Sequence, residues 1–462
     1  MKSSLEAIST TLSQAHYASV SSNEPYAVDS TPEQSALRQE LSALYLQHPT
    51  EWPEFNYPKL NVAALWESER IMQMALAELD NVQGDDDEIA IMYEQVAVKL
   101  AEVYRHLEVV RGLGRTGLRR EVSRERAGQM TLEIFGEPNQ AVFDDMLHAD
   151  IVAARQPIGH PDVQLSNIRA EFLELIGDKA RHYAPESDRV SYELEDTAIE
   201  TLRADFYGLF PGLETIPTSD KKSLTSKESL PWFDATLAAV GLTAKGWTSR
   251  PGEGKAASTN SGAKEVVVGE NRSDFTDVTV KTVPVHEVVA HGLRAQNASE
   301  QELAVRQRPL PGYLAFEEGF GMALEQIISG EKRIGGVAYY LSLGLQLGMD
   351  QEIAEKRSFK DTYEIMWRRS LLNKQNMTSD DIIAAKQTAL QQTMRTTRGG
   401  SLDARDISYA EGARKAHQWL NDVATQEPTE RQRLLKWVLS GKFDPTNQAH
   451  ADIFQELFIE EN

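Results

Sequence analysis

The sequence predicts an α+β fold that is predominantly α-helical. Three observations lead to this prediction. Apolar residues recur at helical spacing over 63–132, the segment 190–270 contains short β-rich runs, and nearly everything after residue 279 has helical periodicity. Because the β-rich runs are few and short, we expect one small ribbon of strands within a helical protein.

The predicted elements follow in order from the amino end. Residues 1–31 are polar and Ser-rich, which predicts a mobile arm, and a helix is expected to begin at Pro32. Polar turns separate the next predicted helices. These helices span 63–79, 88–113 and 119–132. A strand is expected at 190–194, the ribbon at 246–269, and a further helix at 313–328 before Gly330.

Composition favours a soluble, cytoplasmic protein. The 462 residues include no cysteine, so disulfides and thiolate metal ligands are excluded. The amino end lacks the apolar core of a secretory signal, and the longest apolar stretch, 334–349, is too short and Gly-rich to span a bilayer. The net charge of −22 argues against nucleic-acid binding, which requires neutralisation of phosphates. We therefore expect neither a nucleic-acid nor a membrane partner.

The strongest candidate site is the run His286-Glu287-Val288-Val289-Ala290-His291. Two imidazoles and one further carboxylate can bind zinc and leave a coordination position open for water, whose pKa the metal lowers. Glu287 follows the first histidine directly and is the natural general base. The familiar zinc helix has histidines at i and i+4, whereas these are at i and i+5 and would lie about 140° apart on a regular helix. The spacing therefore predicts a π-type turn.

Glu318 is the candidate third ligand, 27 positions after His291. It lies in the predicted helix 313–328, where Gly319 and Gly321 suggest a close approach to the histidine helix. Met322 stands four residues after Glu318, where thermolysin-like sites have Asp, so the groups that orient the histidines are not identified. A helix with two partly buried histidines and no metal remains the alternative.

Several segments together resemble the microtubule-associated tyrosine carboxypeptidase (MATCAP) family and its bacterial relatives, which carry H-E-x-x-x-H and a "QEGLA" motif. The second motif stands here as Glu317-Glu318-Gly319-Phe320-Gly321. Other segments resemble family motifs and occur in the same order between about 52 and 440. These are Phe55-Asn56-Tyr57-Pro58, Arg111-Gly112, Ile134-Phe135-Gly136-Glu137-Pro138, Trp247, Val266-Val267-Val268, Arg294, Arg395-Thr396-Thr397-Arg398-Gly399 and Asp406-Ile407-Ser408-Tyr409-Ala410-Glu411-Gly412.

The resemblance implies a zincin-like metallopeptidase core that holds one zinc ion per chain. It implies the ligands His286, His291 and Glu318, with Glu287 as general base. Removal of a C-terminal residue requires a cation for the terminal carboxylate, and arginine binds carboxylate through two parallel hydrogen bonds. The candidates for that role are Arg395, Arg398 and Arg294, and Tyr409 is a candidate donor to the oxyanion.

The expected organisation has four parts. A polar arm with one short helix covers 1–50, and a helical subdomain covers 51–165. A zincin-like catalytic domain covers 166–440, with the ribbon next to the zinc helix, and a C-terminal tail covers 441–462. An edge strand of such a ribbon is a candidate for pairing with the main chain of a substrate.

Three functions remain open at this point. The first is a zinc carboxypeptidase that acts on a peptide or protein C-terminus. The second is an aminopeptidase or dipeptidyl peptidase, which would need acidic residues for a free amine. The third is a non-catalytic protein with a structural metal site, although such a site would not need Glu287. Tubulin tails are strongly acidic and this chain offers no basic arm, so we do not expect tubulin as the substrate.

Overall fold

The computed structural model describes Ile8 and residues 32–51, 53, 62–82, 86–156, 162–177, 193–219, 223–252, 256–270, 272, 275–331, 335–351 and 356–459. Most of the expected polar arm, the segment 55–58 and residues 190–192 lie outside the described residues. Within the described part, the chain is predominantly helical with one small sheet, which confirms the predicted fold class.

The four helices predicted before residue 135 agree with the structure to within a few residues, and the expected start at Pro32 is confirmed. Five further helices in the described residues between 140 and 239 were not predicted. The helices of the first half are α1 (Pro32–Gln47), α2 (Val62–Leu79), α3 (Asp86–Leu113), α4 (Leu118–Phe135), α5 (Gln140–Arg155), α6 (Val163–Ile176), α7 (Asp196–Leu209), α8 (Pro211–Glu214) and α9 (Ser226–Ala239).

The second half carries the helices that hold the candidate ligands. Gly330 ends the helix that contains Glu318, as predicted, and adopts a left-handed conformation with φ 76°. The helices are α10 (Thr279–Val285), a π-helical segment (His286–Leu293), α11 (Arg294–Ser299), α12 (Tyr313–Ser329), α13 (Val337–Gln346), α14 (Phe359–Arg369), α15 (Ser379–Arg395), α16 (Ile407–Ala424), α17 (Pro428–Leu439) and α18 (Gln448–Ile459).

The predicted ribbon is a three-stranded sheet formed by β1 (Thr248–Gly252), β2 (Ala257–Asn260) and β3 (Glu265–Gly269). The strand order is β1-β3-β2, so β3 is central and β2 is an edge strand. β3 pairs parallel with β1 and antiparallel with β2. Val266 and Val268 of β3 are fully buried, and β2 lies against the π-helical segment, which confirms the expected place of the ribbon.

The core that supports the candidate site joins the π-helical segment to α12. Val288, Val289, Phe316 and Phe320 are fully buried in one cluster. The histidines lie on the π-helical segment and Glu318 lies on α12. The packing of these two helices through their apolar side chains therefore fixes the distance between the ligand side chains.

A separate core contains two phenylalanines of the segment 441–462, which was expected from the sequence to be a C-terminal tail. Phe443 and Phe454 are fully buried and stack with ring centroids 4.1 Å apart, in the same cluster as residues of α2 and α3. Phe454 of α18 therefore packs into a core that also contains apolar side chains of the amino-terminal helices. In the described residues, no helix is both long and apolar enough to cross a membrane.

Candidate active site

The π-helical segment brings the two histidines of the motif together. It spans His286–Leu293, and the ring centroids of His286 and His291 are 5.1 Å apart. A regular helix would direct side chains at i and i+5 to different faces, whereas the wider turn aligns them. The predicted π-type turn is therefore confirmed.

Glu318 of α12 lies opposite both imidazoles. Its Oε2 is 3.6 Å from Nε2 of His286 and 3.9 Å from Nε2 of His291. One nitrogen of each histidine and one oxygen of Glu318 lie within 4.8 Å of one another, as ligand atoms around a single metal ion would. The donor set of two imidazoles and one carboxylate suits zinc and leaves a position for water. The residues present therefore fit the metal that the sequence resemblance implies.

The two glycines of α12 have different neighbours. A Cβ on Gly321 would lie 2.7 Å from the imidazole of His286, so this glycine permits the expected approach to the histidine helix. A Cβ on Gly319 would overlap the backbone of Gly412 in α16. The expectation is confirmed for Gly321 and corrected for Gly319, which allows close contact with a different helix.

Two carboxylates lie next to the outer nitrogens of the histidines. Nδ1 of His286 is 2.7 Å from Oε1 of Glu325, and Nδ1 of His291 is 3.4 Å from Oε1 of Glu317. Glu317 also pairs with Lys442, whose Nζ is 2.9 Å away. Carboxylates in these positions orient imidazoles and increase their basicity as ligands. Sequence reasoning missed Glu325 and Lys442, although Glu325 lies two helical turns after Glu318.

The charges of this cluster favour a bound cation. Burial disfavours the charged form of His286, but hydrogen bonds to Glu318 and Glu325 outweigh it and hold the pKa of His286 well above its ordinary value. Burial likewise opposes ionisation of Glu317, yet Lys442 and His291 lower the pKa of Glu317 to about 2. Burial of Glu318 is outweighed by its hydrogen bond with His286, which lowers the pKa of Glu318. The carboxylates are thus anionic where a metal would lie.

Glu287 is held by the edge strand. The hydroxyl of Thr259 in β2 lies 2.9 Å from Oε2 of Glu287 and 2.8 Å from its main-chain carbonyl oxygen. Glu287 and both histidines line one cleft, whose volume is about 1790 Å³. The predicted base therefore lies beside the predicted ligands, in a space large enough for a peptide.

A family model described as microtubule-associated tyrosine carboxypeptidase matches residues 218–461. This is more than half of the chain. The chain belongs to the MATCAP family. Among curated proteins, no match was found. The matched region includes His286, Glu287, His291 and Glu318. Membership places the chain in a carboxypeptidase family. The motifs before residue 218 stay a prediction.

Two arginines suggested by the MATCAP resemblance line the cleft. Arg395 and Arg398 both lie along its wall, together with Tyr409. Arg395 makes two hydrogen bonds to Asp406, of 2.6 and 2.9 Å, and its guanidinium lies over the ring of Tyr339. Arg398 is 3.5 Å from Asp406 and 4.0 Å from Asp403. Arg398 is therefore held less tightly than Arg395 and has more capacity for a further anion.

The third arginine does not face the cleft. Arg294 has no exposed surface, and its guanidinium donates to the main-chain carbonyls of Val438, Gly441 and Phe443. The expectation that Arg294 binds substrate is wrong, because every direction from its guanidinium leads into packed protein. Through these hydrogen bonds, Arg294 connects α11 to the segment 438–443, which contains Lys442.

Tyr409 lies near the ligand cluster of this MATCAP member. The negative charge of Glu318, together with burial, raises the pKa of the Tyr409 hydroxyl above its ordinary value. The phenol is thus protonated at any physiological pH and can donate a hydrogen bond. Arg405 also lines the cleft and was not among the sequence candidates.

Proposed function

We propose that this protein is a zinc-dependent carboxypeptidase that hydrolyses the C-terminal peptide bond of a peptide or protein. In this proposal His286, His291 and Glu318 hold one zinc ion and Glu287 is the general base. The observation that carries it is the convergence of three ligand atoms within 4.8 Å, next to Glu287, in the wall of a large cleft. A structural site would favour four protein ligands and no adjacent base, so this arrangement favours catalysis.

Zinc, when bound, polarises a carbonyl and lowers the pKa of water. The residues of the chain supply the remaining chemistry. Oε2 of Glu287 accepts a hydrogen bond from the Thr259 hydroxyl, and the carboxylate of Glu287 takes a proton from the attacking water and returns it to the leaving amine. Tyr409, whose phenol is protonated at neutral pH, donates a hydrogen bond to the oxygen that becomes negative.

The arginines of the cleft wall support a binding site for a terminal carboxylate. Arg395 and Arg398 both line the cleft, and Arg398 lies 3.5 Å from Asp406 and 4.0 Å from Asp403. A substrate carboxylate can therefore bind the guanidinium of Arg398 more readily than that of Arg395, which is held by Asp406 at 2.6 Å. We assign the direct contact to Arg398, with Arg395 as its neighbour.

The unpaired side of β2 is the proposed place for the substrate main chain. Residues 257–260 line the cleft, and β2 pairs with β3 on its other side. An extended peptide can add to such an edge through main-chain hydrogen bonds. Because the family is described by tyrosine removal, a peptide that ends in tyrosine is the first substrate to test. The net charge of −22 leads us to propose that strongly acidic tubulin tails are not the substrate.

The test begins with metal content. We expect about one zinc per chain in the wild type and in His48→Ala, an exposed histidine outside the cleft, and none in His286→Ala. Glu287→Gln is expected to keep its zinc and to lose hydrolysis by about 10²- to 10⁴-fold, because only the base is removed. Absence of zinc from all variants after zinc addition would move the assignment to a non-catalytic binding protein.

Substrate blocking separates the peptidase classes. A carboxypeptidase cleaves an N-acetylated peptide and fails on the same peptide with an amidated C-terminus. An aminopeptidase or dipeptidyl peptidase shows the reverse pattern, which would overturn the C-terminal assignment.

A further inference from the structure

We propose that Thr259 is a positioning residue that holds the carboxylate of Glu287 and links it to the strand along which the substrate lies. This inference rests on the proposed function, because it assigns a role in the action of the general base. Nothing in the HExxxH pattern points to Thr259, which precedes His286 by a whole strand and helix.

The contact involves one hydroxyl and two acceptors of the same residue. Oγ1 of Thr259 is 2.8 Å from the main-chain oxygen of Glu287 and 2.9 Å from its Oε2. A hydroxyl has one proton to donate, so the two acceptors share it. The backbone and the end of a long, flexible side chain are thereby fixed relative to one atom. Glu287 loses the freedom to turn its carboxylate away from the site.

The hydroxyl itself is held by the sheet. Thr259 pairs with Val266, which is fully buried in the central strand. Threonine is β-branched and therefore has few side-chain conformers on a strand. Along β2 the residues alternate between half-buried and exposed, and Thr259 lies on the half-buried face toward the π-helical segment. The core strand thus fixes Thr259, and Thr259 fixes the base.

Residues 257–260 of this edge strand line the cleft. A peptide that pairs with β2 would take its position from the backbone that carries the Thr259 side chain. One residue then sets both the location of the scissile bond and the direction of the carboxylate that acts on the water. Misplacement of a catalytic group by about 1 Å costs on the order of 10²-fold in rate.

The primary experiment compares Thr259→Val with Thr259→Ser. Valine keeps the shape and removes the hydroxyl, whereas serine keeps the hydroxyl. We expect Thr259→Val to lower kcat by about 10- to 100-fold with little change in KM. Zinc content and zinc affinity should equal those of the wild type, and Thr259→Ser should recover most of the rate. Thr248→Val, an exposed threonine of β1 outside the cleft, is the matched control.

A second comparison separates positioning from a structural effect. In the Glu287→Gln background, Thr259→Val should lower the residual rate very little, because the rate losses from substitutions at residues that act together do not add. A full additional loss, or weaker zinc binding by Thr259→Val, would overturn the proposal. If valine prevents folding, Thr259→Ala removes the same hydroxyl, and we expect from it the same loss of kcat with unchanged zinc affinity.

The result also separates this inference from the proposed function. If Glu287→Gln leaves hydrolysis unchanged, the proposed function itself fails. If Glu287→Gln abolishes hydrolysis and Thr259→Val does not alter kcat, only the role of Thr259 is wrong.

Discussion

Nδ1 of His286 lies 2.7 Å from Oε1 of Glu325, two helical turns beyond Glu318 on α12. With Nδ1 engaged by Glu325, Nε2 of the same ring is directed at Glu318. One helix therefore supplies both a ligand and the group that orients a second ligand. The relationship makes α12 the main determinant of the geometry of the proposed zinc site.

Removal of this carboxylate should weaken the metal site. We expect Glu325→Ala to lower zinc affinity by about 10- to 100-fold, since the partners of ligating histidines have effects of that size. Glu325→Gln should lose less, because the amide oxygen still accepts from Nδ1–H. Competition with a chelator measures both, and Glu331→Ala, another acidic residue of the cleft, controls for loss of charge. Equal effects of Glu325→Ala and Glu331→Ala would refute the specific contact.

Gly321 should be intolerant of a side chain for a local reason. In Gly321→Ala, the new Cβ would meet the His286 ring at 2.7 Å, so the imidazole must shift. Overpacking of this kind costs about 1–3 kcal/mol, and we expect zinc affinity to fall by about tenfold or more. Thermal unfolding of the zinc-free protein should change much less than zinc affinity does.

Substitution of Gly319 should reduce the stability of the protein more than its zinc affinity. A Cβ there would overlap the main chain of Gly412, which cannot rotate away as a side chain can. We therefore expect Gly319→Ala to destabilise the zinc-free protein by about 1–3 kcal/mol or more, measured by urea unfolding. A stability equal to that of the wild type would show that α12 and α16 are not in such close contact.

Arg398 should matter only for substrates with a free carboxylate. We expect Arg398→Ala to raise KM or lower kcat/KM by at least about tenfold on a free C-terminal peptide, because a charge-assisted hydrogen bond is lost. Arg111→Ala, an exposed arginine paired with Glu108, is the matched control. Unchanged kinetics for Arg398→Ala would transfer the role to Arg395 or Arg405, both of which line the same cleft.

Arg294 should contribute to stability and not to substrate binding. Arg294→Met leaves buried carbonyls of Val438, Gly441 and Phe443 without this donor, at a cost of about 1–3 kcal/mol in unfolding free energy. Urea unfolding of the metal-free proteins measures it, since bound metal would otherwise mask the difference. A change in KM at unaltered stability would restore Arg294 to the substrate site.

The sequence was sufficient for α1 to α4, α12, the ribbon and the π-type turn, because each depends on local spacing, but it did not predict α5 to α9. Five residues at about 100° each cannot align two histidines, so the motif itself required the wider turn. Spacing could not reveal what the buried groups contact. Arg294 and Arg398 both lie in segments that resemble family motifs, yet carbonyls of residues 438–443 surround Arg294 and the cleft borders Arg398. Thr259 and Lys442 reach the site only through tertiary packing.

The π-helical segment also sets the angular phase of everything that follows it. An extra residue in a helix rotates all later side chains by about 100° relative to an uninterrupted one. Deletion of one residue between His286 and His291 would restore the common i, i+4 spacing, yet it would turn Arg294 out of the carbonyls that surround it. The spacing of the two histidines and the contact of Arg294 with the carboxyl-terminal segment therefore depend on the same helical phase. A protein with the shorter i, i+4 spacing would need a different contact in place of the one that Arg294 makes with the carboxyl-terminal segment.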